Sequence, residues 1–368
     1  MKPKLESLDA VRAIACLFVV SFHAYLTLFG YSGLSMFFVL SGFLSAYNYA
    51  DRDSVKRMGA KESAVFSIKK IAKLYPLHIL TMLPVLALDI YTMKTEPQPG
   101  AAALIAEKLA ASVLLVQSWS PRLASAFNGV AWYLSVSLFL YFAFPLILRA
   151  IRRYRSRGAA WAAIAALFAL DIALGLIAAP LCTALRGGYD AGFVSWLCYM
   201  FPPTRCIDFA IGCNLGYLFI TRGEKPVSRG QAAALEGACM LLFAGAWLIF
   251  RRISGTPAAA AFGNTQLCVL PAAALVYLFA LDPGVLTRLF TNRATIFLGG
   301  ISASFFLIHQ DVIRITYMLL DRLGLTLEQS KPILFFACGA ASVALSVIYE
   351  RLEAAVKRRI HGRALNNA

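Results

Sequence analysis

Long apolar runs alternate with short polar connectors along this chain, near 9–29, 33–49, 71–93, 130–149, 159–180, 203–220, 232–250, 264–281, 294–319 and 332–350. Each is close to the ~20 residues a helix needs to cross the hydrocarbon of a bilayer. The pattern predicts an all-α, polytopic membrane bundle of about ten transmembrane helices. It forms a single domain over 1–368, because no polar stretch is long enough to fold separately. A further run, 101–117, carries Glu107 and Lys108 at its centre.

Charge placement gives the sidedness. The basic stretches KRMGAKESAVFSIKK, RAIRRYRSRG, TRGEKPVSRG and VKRRIHGR all fall between or after apolar runs, as cytoplasmic segments do. With Lys2 and Lys4 inside, both termini are cytoplasmic and 94–129 lies outside. Counting 101–117 as a span would expose RAIRRYRSR outside, so it reads as an amphipathic or re-entrant piece on the outer face. Arg251 and Arg252 land outside, the one violation of the pattern.

Composition agrees with a cell (inner or plasma) membrane protein crossing the bilayer many times. Hydrophobic residues make up 60% of the chain, against ~45–50% in a soluble domain. The net charge of +16 comes from these connectors and calls for no nucleic-acid partner. The eight cysteines have no metal-ligand spacing, and no metal is expected. Cys182 and Cys198 flank one polar loop, and a disulfide between them stays open. Asp9 and Arg12 interrupt the first apolar run, so it is not a cleavable leader.

The first run, LDAVRAIACLFVVSFHAYLTLFG, holds the most informative residues. His23 follows Arg12 by eleven positions, about three helical turns, which puts both on one face roughly 16 Å apart. Ionisable groups in hydrocarbon are costly, so they serve a function by default. The plainer alternative is that Arg12 reaches the headgroups and His23 bonds a neighbouring helix. Asp9, three residues before Arg12, is placed to pair with it. Lys70 and Lys73 share a helical face at the inner boundary, one turn before Pro76, and suit a polyphosphate ligand or simply anchor the helix end. Asp171 stands alone in its span and needs a partner on another helix. Arg205 and Asp208 read as a self-satisfied pair.

Taken together, several segments resemble the membrane-bound acyltransferase-3 family. They are LDAVRAIACLFVVSFHAY, SGLSMFFVLSGFLSAY, IKKIAKLYPLHIL, AWYLSVSLFLYFAFPL, RCIDFAIGCNLGYLF and ISASFFLIHQDVI, in that order. The resemblance runs from near residue 8 to near residue 313. Three positions depart from it: Lys70 and Lys73 stand where the family has arginines, and Ser137 where it has Glu. A lysine keeps the charge but loses the bidentate fork that grips phosphate.

The resemblance implies O-acyl transfer from cytoplasmic acyl-CoA, most simply acetyl-CoA, to a hydroxyl of a cell-envelope or exported carbohydrate or glycolipid. Acyl-CoA would then be a donor substrate, with no permanently bound cofactor. His23 would act as general base. Arg12, Lys70 and Lys73 would hold the donor. His309, Gln310, Trp132 and Tyr133 are acceptor-side candidates, His309 reading rather more readily as a hydrogen-bonded structural histidine and the last two equally suited to an aromatic belt at the outer interface. Ser41 and Gly42 suit close helix packing, with an acyl-serine at Ser41 as the minor alternative. The competing reading is a secondary transporter or exporter with Arg12, His23 and Asp171 as its polar path.

Overall fold

The computed structural model describes residues 3–26, 28–223, 227–282 and 284–366. Lys2, Thr27 of the first predicted span, and Glu224, Lys225 and Pro226 of one predicted cytoplasmic loop lie outside them. All regular structure among the described residues is helical. In chain order the α-helices are α1 Ser7–His23, α2 Ser32–Tyr49, α3 Asp53–Lys56, α4 Ala60–Ile71, α5 Tyr75–Thr95, α6 Ala101–Val113, α7 Trp132–Ile151, α8 Arg157–Arg186, α9 Ala191–Tyr199, α10 Pro202–Ile220, α11 Arg229–Ile253, α12 Leu267–Leu281, α13 Val285–Phe290, α14 Arg293–Gly300, α15 Ser302–Arg322, α16 Leu327–Pro332 and α17 Cys338–Asn366.

Six helical stretches among the described residues are long and apolar enough to cross a membrane: Tyr75–Thr95, Trp132–Ile151, Arg157–Arg186, Arg229–Ile253, Ala259–Leu281 and Leu327–Arg359. A seventh is the pair α14 and α15, bent by 76°. This is fewer than the apolar pattern predicts, for a physical reason. α1, α2 and α10 form the buried centre of the bundle, so they do not need an apolar surface. At 17 residues α1 is itself short for a crossing, and the buried faces of α2 and α10 carry Ser35, Arg205, Asp208 and Asn214, which lower their hydropathy.

α2 and α10 approach backbone to backbone. A Cβ on Gly42 would fall against the Phe209 carbonyl oxygen, and one on Gly212 against that of Val39. Only glycine permits this distance, so the expected close packing is met at Gly42, whereas Ser41 faces a cavity. Gly299 similarly lets α14 sit on the backbone of Asp9 in α1. Around this centre α4 packs on α7, α8 on α10, α11 on α12, and α5 and α17 on α15.

The segment 101–117 is not a span. α6 folds back along α5, tied by Lys108 Nζ to Asp89 Oδ2 at 3.0 Å and by Tyr75 Oη donating to the Val113 carbonyl at 2.9 Å. The predicted run 71–93 starts later than expected. α4 ends at Ile71 and α5 begins at Tyr75, with Pro76 in its first turn, where proline's missing N–H costs nothing. Pro76 therefore starts a helix rather than kinking one. Cys182 and Cys198 are not joined in a disulfide.

Candidate active site

The first turn of α1 sets the first charged group. Asp9, 2% exposed, takes Arg12 Nη1 on one oxygen at 2.5 Å and Lys4 Nζ on the other at 2.6 Å. The i,i+3 pair read from the sequence is formed. It holds the Arg12 guanidinium, itself about a third exposed, at the wall of a cavity of about 170 Å³.

That cavity is the meeting point of five helices, one wall being Ser302, Ala303, Phe306 and Leu307 of α15. α1 contributes Arg12, α2 Ser41, α4 Lys70, and α7 the polar stripe Tyr133, Ser137 and Tyr141. The Lys70 ammonium donates to Tyr49 Oη at 2.8 Å and lies 4.4 Å from that ring's centre, with Phe66 and Tyr141 at 5.4 and 5.9 Å. Aromatic faces stabilise a desolvated ammonium by roughly 0.5–2 kcal/mol each. Two cations from different helices thus face one chamber that contains hydroxyls but no carboxylate among its lining residues.

Lys73 is elsewhere. It stands in the turn between α4 and α5, more than half exposed, with its ammonium 3.7 Å from Glu350, which also accepts from the Ser304 hydroxyl at 2.5 Å. The expected shared face is broken because the helix stops at Ile71, between the two lysines. Lys70 alone joins Arg12.

Above the cavity lies a wall of three rings. Phe306 stands 5.1 Å from Tyr133 and 5.8 Å from Phe37, and Phe37 is 6.1 Å from Tyr133. Beyond it, His309 is 5.8 Å from Phe306 and 5.1 Å from His23, whose rings are inclined by 57°. Neither histidine lines the cavity itself. His309 Nδ1 sits 2.8 Å from the Phe306 carbonyl and 3.3 Å from that of Phe305. Carbonyls only accept, so Nδ1 carries the proton and Nε2 presents its lone pair. That Nε2 is buried and has no partner among the described residues. His23, at the last turn of α1, is partly exposed, and its ring stands edge-on to Phe22 at 5.1 Å.

The other acceptor-side candidates separate. Gln310 is next to the pair in sequence, and its Oε1 is buried without a partner among the described residues. Trp132 is not at an interface: it is 4% exposed, between Phe38 at 6.1 Å and Tyr199 at 4.9 Å. The segment before α7 is pinned to the start of that helix by Gln117 Nε2 to the Ala131 carbonyl at 3.2 Å and Ser118 to Ser135 at 2.6 Å. Tyr133 stacks on Phe38 at 4.7 Å and faces the cavity, on the side of Lys70 and Arg12. An aromatic-belt role is excluded for both.

The transporter path is not assembled. Asp171 is fully buried on α8, held by Gln266 Nε2 at 3.3 Å, and lines no cavity wall with Arg12. Arg205 and Asp208 pair at 2.7 Å, both fully buried, with Arg205 Nε also donating to the Tyr199 carbonyl at 2.7 Å. Among the described residues no group of three or more His, Cys, Asp or Glu side chains is placed to hold a metal.

Reading the sequence missed Tyr141 and Ser137 as wall residues and Tyr49 as the partner of Lys70. A signal was available: Tyr133, Ser137 and Tyr141 recur every four positions on an otherwise apolar helix, a polar stripe on one face. Tyr49 had none, because only the fold brings it to Lys70.

A family model described as "Acyltransferase domain" matches residues 5–351. The chain is also 28% identical over 343 residues to "Acyltransferase MdmB" of Streptomyces mycarofaciens, covering 86% of this chain and 81% of that protein. No solved structure matches.

Proposed function

Because the chain belongs to the acyltransferase-3 family and is a membrane acyltransferase, we propose that it moves an acyl group, most simply acetyl, from cytoplasmic acyl-CoA to a hydroxyl of a carbohydrate or glycolipid. The acceptor is a cell-envelope or exported molecule reached from the outer side of the cell membrane. The arrangement that carries this reading is the cavity fed by Arg12 and Lys70, followed by the Phe306 wall and then the His23–His309 pair.

In this reading Arg12 and Lys70 bind the phosphates or polar arm of the donor as point charges. The hydroxyls of Ser41, Ser137 and Tyr133 line the way for its thin acyl-bearing arm. A lone Lys70 in place of two arginines favours a looser phosphate contact. His23, partly exposed and beside a second imidazole, takes the proton of the acceptor hydroxyl as its oxygen attacks the thioester carbonyl. The new C–O bond forms, the C–S bond breaks, and the imidazolium returns the proton to the departing thiolate. His309 is close enough to share that proton through its free Nε2. Gln310 is assigned to the acceptor. Trp132, enclosed by Phe38 and Tyr199, is not.

The same reading carries a topology of about ten crossings. α1, α2 and α10 cross at the protected centre, both termini are cytoplasmic, and α6 lies on the outer side. Isolated membranes given radiolabelled acetyl-CoA and envelope glycan should transfer label to the glycan. Glycans from cells with and without the gene, compared by mass, identify the acyl group and its acceptor. Membranes that leave acyl-CoA untouched while moving a solute would replace this reading with the transporter.

A further inference from the structure

A second and larger cavity, about 520 Å³, lies between α5, α15 and α17. Its volume is in the range of ligand pockets, roughly 300–1,000 Å³. Its walls include Leu80, Ile315, Leu345 and Ile348, each about half exposed on the outside of the bundle, so the chamber opens toward lipid. It is turned away from the acyl-transfer site. On α15 the residues Ile308, Asp311 and Val312 face this chamber, while Phe306 and His309 face the other way.

One feature is out of keeping with a groove that holds only acyl chains. Asp311 lines the chamber, is 8% exposed, and its Oδ2 is buried with no hydrogen-bond partner among the described residues. No lining residue from α5 or α17 carries a charge. On α15 itself the cation one turn on, Arg314, attracts Asp311 through space while its Nη1 donates to the Phe127 carbonyl at 3.4 Å. A carboxylate left unpaired in an apolar chamber is expensive unless a counter-charge completes it. It also repels the phosphate of an anionic lipid.

We propose that this chamber is a binding site for an amphiphilic amine, whose apolar chain enters from the bilayer between α5, α15 and α17 and whose ammonium pairs with Asp311. The apolar walls take the chain by burial, and the carboxylate selects the head by charge. The site rests on no part of the acyl-transfer reading.

The test uses the full-length protein in phosphatidylcholine nanodiscs with two photoreactive probes of equal chain length: a diazirine-tagged alkylamine and the matching alkyl carboxylate. Peptide mapping by mass spectrometry should find labelling of α5, α15 and α17 by the amine at about tenfold the level of the carboxylate. Asp311→Asn, which keeps the shape and removes the charge, should bring the amine down to the carboxylate's level. Thr81→Phe, which fills the chamber and leaves Asp311 in place, should lower labelling by both probes and serves if the Asn variant does not fold. Equal labelling by the two probes, or undiminished amine labelling in a folded Asp311→Asn protein, would overturn the proposal and leave a groove occupied by ordinary lipid.

Discussion

His23 and His309 stand near opposite ends of the chain, yet their imidazoles meet with ring centres 5.1 Å apart. His309 is locked by its Nδ1 hydrogen bond to the Phe306 carbonyl, while His23 is partly exposed at the last turn of α1. His23→Ala should lower acyl transfer by ~10²-fold or more, the scale of a lost general base, with membrane insertion intact. His23→Gln keeps a polar group that cannot take a proton and should be as inactive. A fully active Gln variant would move the base to His309.

His309→Gln separates proton sharing from packing. If its free Nε2 assists the pair, kcat should fall by about tenfold or more with little change in KM for acyl-CoA. If the ring only fills space beside Phe305 and Phe306, His309→Phe should restore what Gln loses. Steady-state kinetics on both variants decides between these outcomes.

Close packing of α2 on α10 yields a stability prediction. Gly42→Ala pushes a methyl into the Phe209 carbonyl, where neither backbone has room. The expected cost is about 1–3 kcal/mol, seen as a lower unfolding temperature in detergent. Gly339→Ala is the control. A Cβ there meets nothing within 4 Å, and alanine is the better helix former, so stability should hold or rise.

Topology is testable by single-cysteine labelling in intact cells with a membrane-impermeant thiol reagent. Ser120→Cys, in the segment before α7, should react from outside. Ser156→Cys, at the N-cap of α8 in the basic connector, should react only after the membrane is opened. Labelling of Ser156→Cys in sealed cells would reverse the sidedness and remove the route from cytoplasmic acyl-CoA to Lys70.

What the sequence made legible was local. The Asp9–Arg12 pair follows from i,i+3 geometry, and the all-helical class from the length of the apolar runs. Two kinds of feature were hidden. Long-range meetings, such as His23 with His309 or Lys70 with Tyr49, depend on how helices stack and leave no periodic trace. The second kind concerns surroundings. Trp132 at the start of an apolar helix reads as a belt residue, and only the packing of Phe38 and Tyr199 from other helices encloses it. The apolar runs likewise overstate what the fold shows: α1, α2 and α10 are short and carry buried polar groups, and six or seven helical stretches among the described residues are long and apolar enough to cross.

The separation of Lys70 from Lys73 leads to the sharpest prediction. Lys70 lines the cavity with Arg12, whereas Lys73 is exposed and neighbours Glu350 outside it. Lys70→Gln should raise KM for acyl-CoA by about tenfold with a smaller change in kcat, because the contact is assigned to ground-state binding. Lys73→Gln should leave both within about twofold, since an exposed ion pair contributes ~0–1 kcal/mol. Lys70→Arg keeps the charge and offers phosphate a fork, at the risk of crowding Tyr49 and Phe66, so it should retain most activity. Initial rates over a range of acyl-CoA concentrations in membranes containing each variant provide the check. Equal effects at the two lysines would mean that the donor spans both, and that the turn at 72–74 closes when acyl-CoA binds.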